Sequence, residues 1–211
     1  MEQTPEYQAF AKKHMVDEVA LMKENKFSIP PDELIALAKI FLVTEAPEAT
    51  LPGDGSMFAD DFKFVGPVIG PLSKEEFLAT RDTVDFFRSF PDATAEFHNF
   101  RVDPFEPSRV WWTVRGAGTH TGEAVPGSDA SLLFGEVSGL RFVNPPQACS
   151  ARFTPEGKID QFTIGYVMDR YVGNTAGLGG FFGVLYAIGK RMPFDEGQPW
   201  APSWTYQAYV Q

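Results

Sequence analysis

The chain has 211 residues, 44% of them hydrophobic, which is enough for one globular domain with a buried core. The formal net charge of −10 would repel phosphate backbones and anionic lipid surfaces, so we predict binding to neither nucleic acid nor membrane surfaces. The longest apolar stretch, residues 176–189, is interrupted by glycines and too short to span a bilayer, so no membrane span is predicted.

The first half of the chain predicts two helices before any strand. Thr4 followed by Pro5 is typical of a helix start, with a capping hydroxyl and then proline at the first helical position. A second helix is predicted from Pro31 to about Val43. Residues 44–56 are rich in proline and glycine and predict a loop.

A strand and a third helix follow this loop. Residues 58–65 alternate in polarity and end at a Gly-Pro pair, which predicts a strand. Ser73 and Glu76 have the spacing of a capping box, so a helix is predicted from there to about Phe90.

The pattern then changes to the two-residue period of strands. Strands are predicted over residues 94–102 and 110–121, and a hairpin is predicted from residues 147–153 and 158–168. Residues 130–143 are apolar with two glycines and fit either a strand pair or a looser insertion. The order predicts the α+β class, with helices packed on one face of a bent antiparallel sheet.

Cysteine and histidine usage bears on redox state and on metals. The single cysteine, Cys149, cannot form an intrachain disulfide and is interpreted as a small core residue. This favours a reducing compartment, so a cytoplasmic location is predicted, or an organelle after loss of a transit peptide. The histidines, at positions 14, 98 and 120, lie far apart and no CxxC is present, so neither a metal nor another cofactor is predicted.

Four segments carry a resemblance to a known family: Phe86–Asp92, Val110–Glu123, Phe153–Ile159 and the single residue Asp169. In this order they resemble the SnoaL-like branch of the NTF2-like superfamily, across residues 50–170. The resemblance implies a cone-shaped α+β barrel with helices on the concave side of the sheet. It also implies a homodimer, since many relatives pair through the sheet.

The resemblance suggests a division of the chain into three parts. Residues 1–49 are predicted to be an N-terminal helical extension, and residues 50–171 the NTF2-like domain. Residues 172–211 are predicted to be a tail, rich in glycine, proline and aromatic residues, that packs on the same domain.

Two ionisable residues are the catalytic candidates. Polyketide cyclases of this branch use a last-strand aspartate as general acid/base, and the resemblance places Asp169 at that position. A carboxyl group in a dry pocket holds its proton more firmly, which suits this role. His120 has the same strand parity as Trp112 unless residues 116–118 form a bulge. The alternatives are a surface cap or a salt bridge to Arg170 for the aspartate, and a buried structural role for the histidine.

Five further side chains complete the predicted substrate site. Two are large aromatic groups for a hydrophobic substrate, and three offer hydrogen bonds: Phe64, Trp112, His98, Arg115 and Tyr166. Tyr166 and Arg115 would stabilise a developing enolate oxygen. For His98 a structural or exposed role is the alternative.

Three functions fit these observations. The first is a cofactor-free cyclase or isomerase acting on a hydrophobic oxygenated molecule such as a polyketide, a steroid-like compound or a terpenoid. The second is a non-catalytic protein that holds a small hydrophobic ligand in the same cavity, and the third is a dimeric assembly module. Fold alone does not separate them, but a cavity with converging acid/base groups would favour the enzyme.

Overall fold

The protein is described by a computed structural model that covers residues 4–46 and 53–210, so part of the predicted loop over residues 44–56 lies outside the described residues. The helices are α1 (Pro5–His14), α2 (Glu18–Lys23), α3 (Pro31–Thr44), α4 (Lys74–Thr83), α5 (Phe86–Ser89), α6 (Asp129–Phe134), α7 (Gly180–Ala187) and α8 (Trp204–Tyr209), with a 3₁₀ turn at Asp195–Gly197. The strands are β1 (Phe58–Val65), β2 (Leu72–Ser73), β3 (His98–Val102), β4 (Arg109–Val114), β5 (Ala117–Thr119), β6 (Arg141–Val143), β7 (Gln147–Phe153) and β8 (Ile159–Val167).

The N-terminal helices begin where capping side chains predict. The Thr4 hydroxyl accepts a hydrogen bond from the Tyr7 N–H at 3.2 Å. Helix α1 ends at His14, and Asp17 caps α2 by accepting from the Ala20 N–H at 2.9 Å. Neither α1 nor α2 has a buried residue, whereas α3 buries an apolar stripe against the sheet. Within the described ranges, no helix is both long enough and apolar enough to cross a membrane.

The main sheet has six strands in the order β2-β1-β8-β7-β4-β3 and is strongly curved. Strands β2 and β3 form its two edges, so the described sheet is open rather than a closed barrel. Strand β1 pairs with β8 in parallel, and the other neighbouring pairs are antiparallel. The predicted bent antiparallel sheet thus contains one parallel pair, where a long connection rather than a hairpin joins the two strands. The predicted α+β class is confirmed.

Aromatic side chains fill the space between one face of this sheet and helices α3 and α4. Phe41 of α3 lies edge-on to Phe162 of β8, with ring centroids 4.9 Å apart, and Phe77 of α4 contacts Phe58 at 5.6 Å. Cys149 is buried in the same cluster, as predicted. The abundant phenylalanine thus serves mainly to fill the core, and burial of such rings is the main stabilising contribution.

The opposite face of the sheet carries a polar network. Arg109 donates from Nη1 to the Ser150 hydroxyl at 2.8 Å, and Ser150 lies 2.7 Å from the Thr163 hydroxyl. Arg109 also pairs through Nε with Glu106 at 2.6 Å. The buried side chains of Arg109, Ser150 and Thr163 thus satisfy one another's hydrogen-bonding groups.

Three predicted segments form different elements in the structure. The strand predicted over residues 110–121 ends at Val114, and β5 pairs instead with β6 in a separate two-stranded sheet. The helix predicted to run to Phe90 stops at Thr83, because Asp85 caps a new helix, α5, by accepting from the Arg88 N–H. Residues 130–143 form helix α6 and strand β6 rather than a strand pair.

A second buried cluster lies beside the main core. It joins residues in or next to α5, α6, β6 and α7, and its buried members are Val84, Phe90, Ala130, Phe134, Phe142, Val184, Leu185 and Ile188. Helix α7 comes from the predicted tail, so this part of the tail packs on the preceding residues. The division at residues 49 and 171 stays a prediction.

Candidate functional site

A cavity of about 120 Å³ lies between the main core and the second cluster. The ends of β1, β4 and β8 form one wall, and α5, β6 and the start of α7 form the other. The wall is mainly aromatic and aliphatic, with contributions from Phe64, Val114, Ile164, Phe86, Phe142 and Phe181. An apolar cavity of this kind favours apolar ligands.

A bulge in β8 shapes one side of the cavity. The pairing of β7 with β8 shifts between Ala148 and Ser150, and Gly165 at the shift has a φ of +92°. A Cβ at Gly165 would lie 3.3 Å from Pro67, so glycine lets the turn after β1 approach the strand. Because a bulge reverses the alternation of side chains, Tyr166 is paired with Ala148 and is exposed.

Two buried amide side chains provide most of the polarity of the wall. Gln147 is 2% exposed, and its Oε1 accepts a hydrogen bond from the Gly180 N–H at 2.8 Å, which fixes the start of α7. Asn144 is 8% exposed, and its main-chain N–H donates to the Gly116 carbonyl at 2.8 Å. Its Oδ1 has no hydrogen-bond partner among the residues described. No charged side chain belongs to the described lining of the cavity.

Of the seven side chains predicted for the site, Phe64 lies in the cavity wall. Trp112 is buried in the main core, between Phe100 and Phe162 at centroid distances of 6.0 and 6.2 Å. Packing on both faces of the indole leaves it away from the described cavity wall. Its role in substrate binding stays a prediction.

Asp169 lies beyond the end of β8 and is exposed to solvent. Its Oδ1 accepts a hydrogen bond from the Tyr171 N–H at 2.9 Å, which is the turn-capping geometry expected in the alternative interpretation. Asp169 and His120 do not converge on the cavity, since neither belongs to its described lining. The catalytic role of the pair stays a prediction.

The three remaining candidates are also outside the described wall. Tyr166 and Arg115 are exposed, and the main-chain N–H of Arg115 donates to the Ala95 carbonyl. His98 is exposed as well, with Nδ1 2.7 Å from the Glu96 carbonyl. Their roles in substrate binding stay predictions.

His120 is fully buried in the second cluster, behind the aromatic wall of the cavity. Its ring stacks on Phe90 at 5.0 Å and lies edge-on to Phe134 at 6.3 Å. Nδ1 lies 3.3 Å from the main-chain nitrogen of Ser138 and 3.2 Å from its hydroxyl oxygen, whereas Nε2 has no partner among the described residues. Burial lowers the pKa of His120, and the positive charge of Lys190 lowers it further.

This histidine should make stability depend on pH. An unfolded chain protonates it near pH ~6.5, whereas the folded protein does so only at lower pH. Below about pH 6.5 the unfolded state binds more protons than the folded state. The free energy of unfolding should therefore decrease as the pH is lowered, by at most about 1.4 kcal/mol per pH unit. Urea unfolding between about pH 7 and pH 5 measures this slope. His120→Phe should have a smaller slope, and equal slopes in both proteins would contradict the prediction.

No family model and no curated protein matches the chain. A phenazine biosynthesis-related protein from Pseudomonas aeruginosa is similar in structure, with a TM-score of 0.42 and 14% identity over 89% of this chain and 98% of its own. The epoxide hydrolase/cyclase-like enzyme SalBIII, linked to pyran ring formation in salinomycin, has a TM-score of 0.39 and 13% identity over 70% and 93%.

An NTF2-like protein from Anabaena variabilis has a TM-score of 0.37 and 13% identity, over 74% of this chain and 94% of its own. At these identities and TM-scores, neither ligand nor reaction follows from the similarity.

Sequence reasoning missed the two amides in the cavity wall. The signal lies in the segment Asn144-Pro145-Pro146-Gln147, where two amide side chains flank a proline pair within an apolar stretch. A buried amide inside an apolar stretch needs a hydrogen-bond partner, which makes it a candidate binding residue.

Proposed function

We propose that this protein binds a small, uncharged, mostly apolar molecule in the cavity between the main core and the second cluster. The observation that carries the proposal is an apolar cavity of about 120 Å³ whose described lining contains two buried amides and no charged group. The second of the predicted functions, a non-catalytic protein for a hydrophobic ligand, fits this geometry best.

The size and chemistry of the cavity limit the ligand. An apolar cavity of about 150 Å³ binds benzene, so a cavity of about 120 Å³ suits a ligand of about one benzene ring. The cavity is not fully enclosed, which leaves room for a small substituent at its opening. Each Å² of apolar surface that such a ligand buries contributes about 25 cal/mol. A charged ligand would lose its hydration without gaining an ionic partner from the described wall, so an uncharged one is favoured.

The same geometry gives less support to acid/base catalysis. A general base must come within about 3 Å of the proton that it removes, directly or through one water. The described wall of the cavity has neither a carboxylate nor an imidazole. A cyclase or isomerase using Asp169 and His120 is therefore the second candidate, and it requires a different arrangement of these residues around a substrate.

Calorimetric titration with ethylbenzene tests the binding function. The wild-type protein should bind it, and Ala95→Phe should weaken binding by about tenfold or more, because the new ring occupies part of the cavity. Ala79→Phe adds the same ring on the exposed surface of α4 and should leave the affinity unchanged. The absence of binding to the wild type, or an unchanged affinity of Ala95→Phe, would contradict the proposal.

The Asp169→Asn variant separates binding from catalysis. Asparagine keeps the oxygen that accepts from the Tyr171 N–H, so the fold should be unaffected. Mass spectrometry of compounds that co-purify with each protein should then find the same ligand in both. A compound that accumulates only in the variant would favour the enzyme.

Two further predictions concern assembly and location. A homodimer stays a prediction. Sedimentation at micromolar concentration tests it, and a monomer alone would contradict it. A cytoplasmic location and the lack of nucleic-acid partners also stay predictions.

A further inference from the structure

The aromatic wall of the cavity has a second layer of rings behind it. Phe86, Phe142 and Phe181 belong to the described lining. Phe90 packs behind the first two, with ring centroids 4.8 Å from Phe86 and 5.3 Å from Phe142. Phe134 lies 6.3 Å from Phe181 and 6.1 Å from Phe86. Because these rings are in close contact, the wall keeps its shape only while Phe90 and Phe134 stay in place.

His120 packs against both rings of this second layer. Its side chain is fully buried, and its ring stacks on Phe90 at 5.0 Å and lies edge-on to Phe134 at 6.3 Å. The segment 135–140 is hydrogen-bonded to it, since the His120 N–H donates to the Leu140 carbonyl at 2.9 Å. A movement of His120 towards solvent would therefore disturb the cavity wall through Phe90 and Phe134.

The surroundings of His120 suit a neutral ring. An imidazolium has two N–H donors, but Nε2 has no partner among the described residues. Within residues 4–46 and 53–210, no carboxylate forms an ion pair with the ring. Burial lowers the pKa of His120, and so does the charge of Lys190. A proton thus binds more readily when the ring reaches water, which requires the second cluster to open.

The charged groups around His120 come from every element that packs on it. Lys190, after α7, is the charge that acts on the ring. Asp92 and Arg141 form an ion pair at 3.5 Å beside β5, and hydrogen bonds from Thr119 lower the pKa of Asp92, so it stays ionised in mild acid. The other charged side chains of α5, α6 and the neighbouring segments are exposed to solvent: Asp85, Arg88, Glu123, Asp129, Glu136 and Arg191.

We propose that acidification releases the ligand, because a proton on His120 and a ligand in the cavity exclude one another. This inference rests on the proposed binding function and names how that site is regulated. A bound ligand packs against Phe86, Phe142 and Phe181 and so favours the closed cluster with a neutral histidine. By thermodynamic linkage, the proton weakens ligand binding by the same factor by which the ligand weakens proton binding.

Calorimetric titration with ethylbenzene at about pH 7.5 and about pH 5.5, on either side of the ordinary histidine pKa, tests the inference. Neither ethylbenzene nor the described lining of the cavity carries a group that titrates in this range. A dependence of the affinity on pH must therefore come from behind the wall. The wild-type protein should bind about fivefold more weakly at the lower pH, which is the lower end of typical coupling between two sites. Circular dichroism at both pH values verifies the fold.

Three variants identify the responsible group. His120→Phe keeps a ring on Phe90 but removes the titrating group, so its affinity should change by less than about twofold between the two pH values. The matched control His14→Gln removes an exposed histidine at the end of α1 and should keep the wild-type change. Lys190→Met removes the charge that opposes protonation, so it should bind more weakly than the wild type at the lower pH and equally at the higher pH.

If His120→Phe does not fold, the NMR signal of the His120 ring in the wild-type protein replaces it. Its titration should move to lower pH when ethylbenzene is bound. Equal wild-type affinities at the two pH values, or the same loss of affinity in His120→Phe, would overturn the regulation and leave the binding function standing. The absence of ethylbenzene binding at the higher pH would overturn the binding function itself.

Discussion

Replacement of Phe162 by alanine is expected to lower the free energy of unfolding by about 3–5 kcal/mol. Phe162 is fully buried on β8 and contacts four aromatic rings, with centroids 4.9 to 6.2 Å away: Phe41, Phe64, Phe77 and Trp112. These rings come from α3, β1, α4 and β4, so the cavity left by the substitution cannot close by the movement of one element. Urea unfolding followed by circular dichroism measures the loss.

The matched control for this prediction is Phe105→Ala. Phe105 is 73% exposed, so the same truncation there should change stability by less than about 0.5 kcal/mol. The Phe162→Ala variant should also bind ethylbenzene more weakly, because Phe64 of the cavity wall packs on Phe162 at 5.6 Å. Similar stability losses in the two alanine variants would show that the aromatic core is not the main source of stability.

Arg81→Met should be the second strongly destabilising change, by about 3–5 kcal/mol. Glu45, at the end of α3, is 1% exposed and accepts from Arg81 Nη1 at 2.7 Å and from the Gly55 N–H at 3.1 Å. The substitution leaves the carboxylate buried without its cation. Because this pair joins α3 to α4, we expect its loss to destabilise the packing of both helices. Urea unfolding would measure the change in the free energy of unfolding.

The double variant Glu45→Gln/Arg81→Met is the control for the ion pair. Removing both charges avoids an uncompensated buried carboxylate, so the double variant should be more stable than Arg81→Met alone. If it were no more stable, the loss would come from the other contacts of the arginine side chain, which include its hydrogen bond to the Gly53 carbonyl at 3.1 Å, rather than from the buried charge.

Local signals in the sequence were sufficient for several elements. The Ser73 hydroxyl accepts from the Glu76 N–H at 3.3 Å, and the Glu76 carboxylate accepts from the Ser73 N–H at 2.8 Å, which confirms the predicted capping box. The hairpin of β7 and β8 is also confirmed, with Gly157 at a φ of +77° in its turn. Both motifs depend on residues close in sequence, so composition and spacing identify them.

Long-range contacts explain the elements that pattern alone could not predict. Strand β4 ends at Val114. The N–H of the next residue, Arg115, donates to the Ala95 carbonyl of a segment 20 residues earlier. The direction of β1 relative to β8 likewise depends on the path of the whole intervening chain. Periodicity describes the local face of a strand. It carries no information about where the strand ends or about the direction in which it pairs with its neighbour.

The cavity could not be predicted from the sequence, for two physical reasons. Its walls come from positions as distant as Phe64 and Val184, and helix α7 is so uniformly apolar that it has no helical period. Parity counting along β8 also fails after Gly165, where the bulge changes which face each later side chain occupies. The position of Asp169 outside the cavity could therefore not be read from the alternation of the strand.

Occupancy of the cavity by a small uncharged molecule is tested most directly by amide NMR spectra of the labelled protein during titration with ethylbenzene. We predict saturable shifts that are largest at cavity residues of β4, β8 and α7, such as Val114, Ile164 and Phe181, with little change at Asp169. Largest shifts around Asp169, or weak shifts that never saturate, would contradict binding in the cavity.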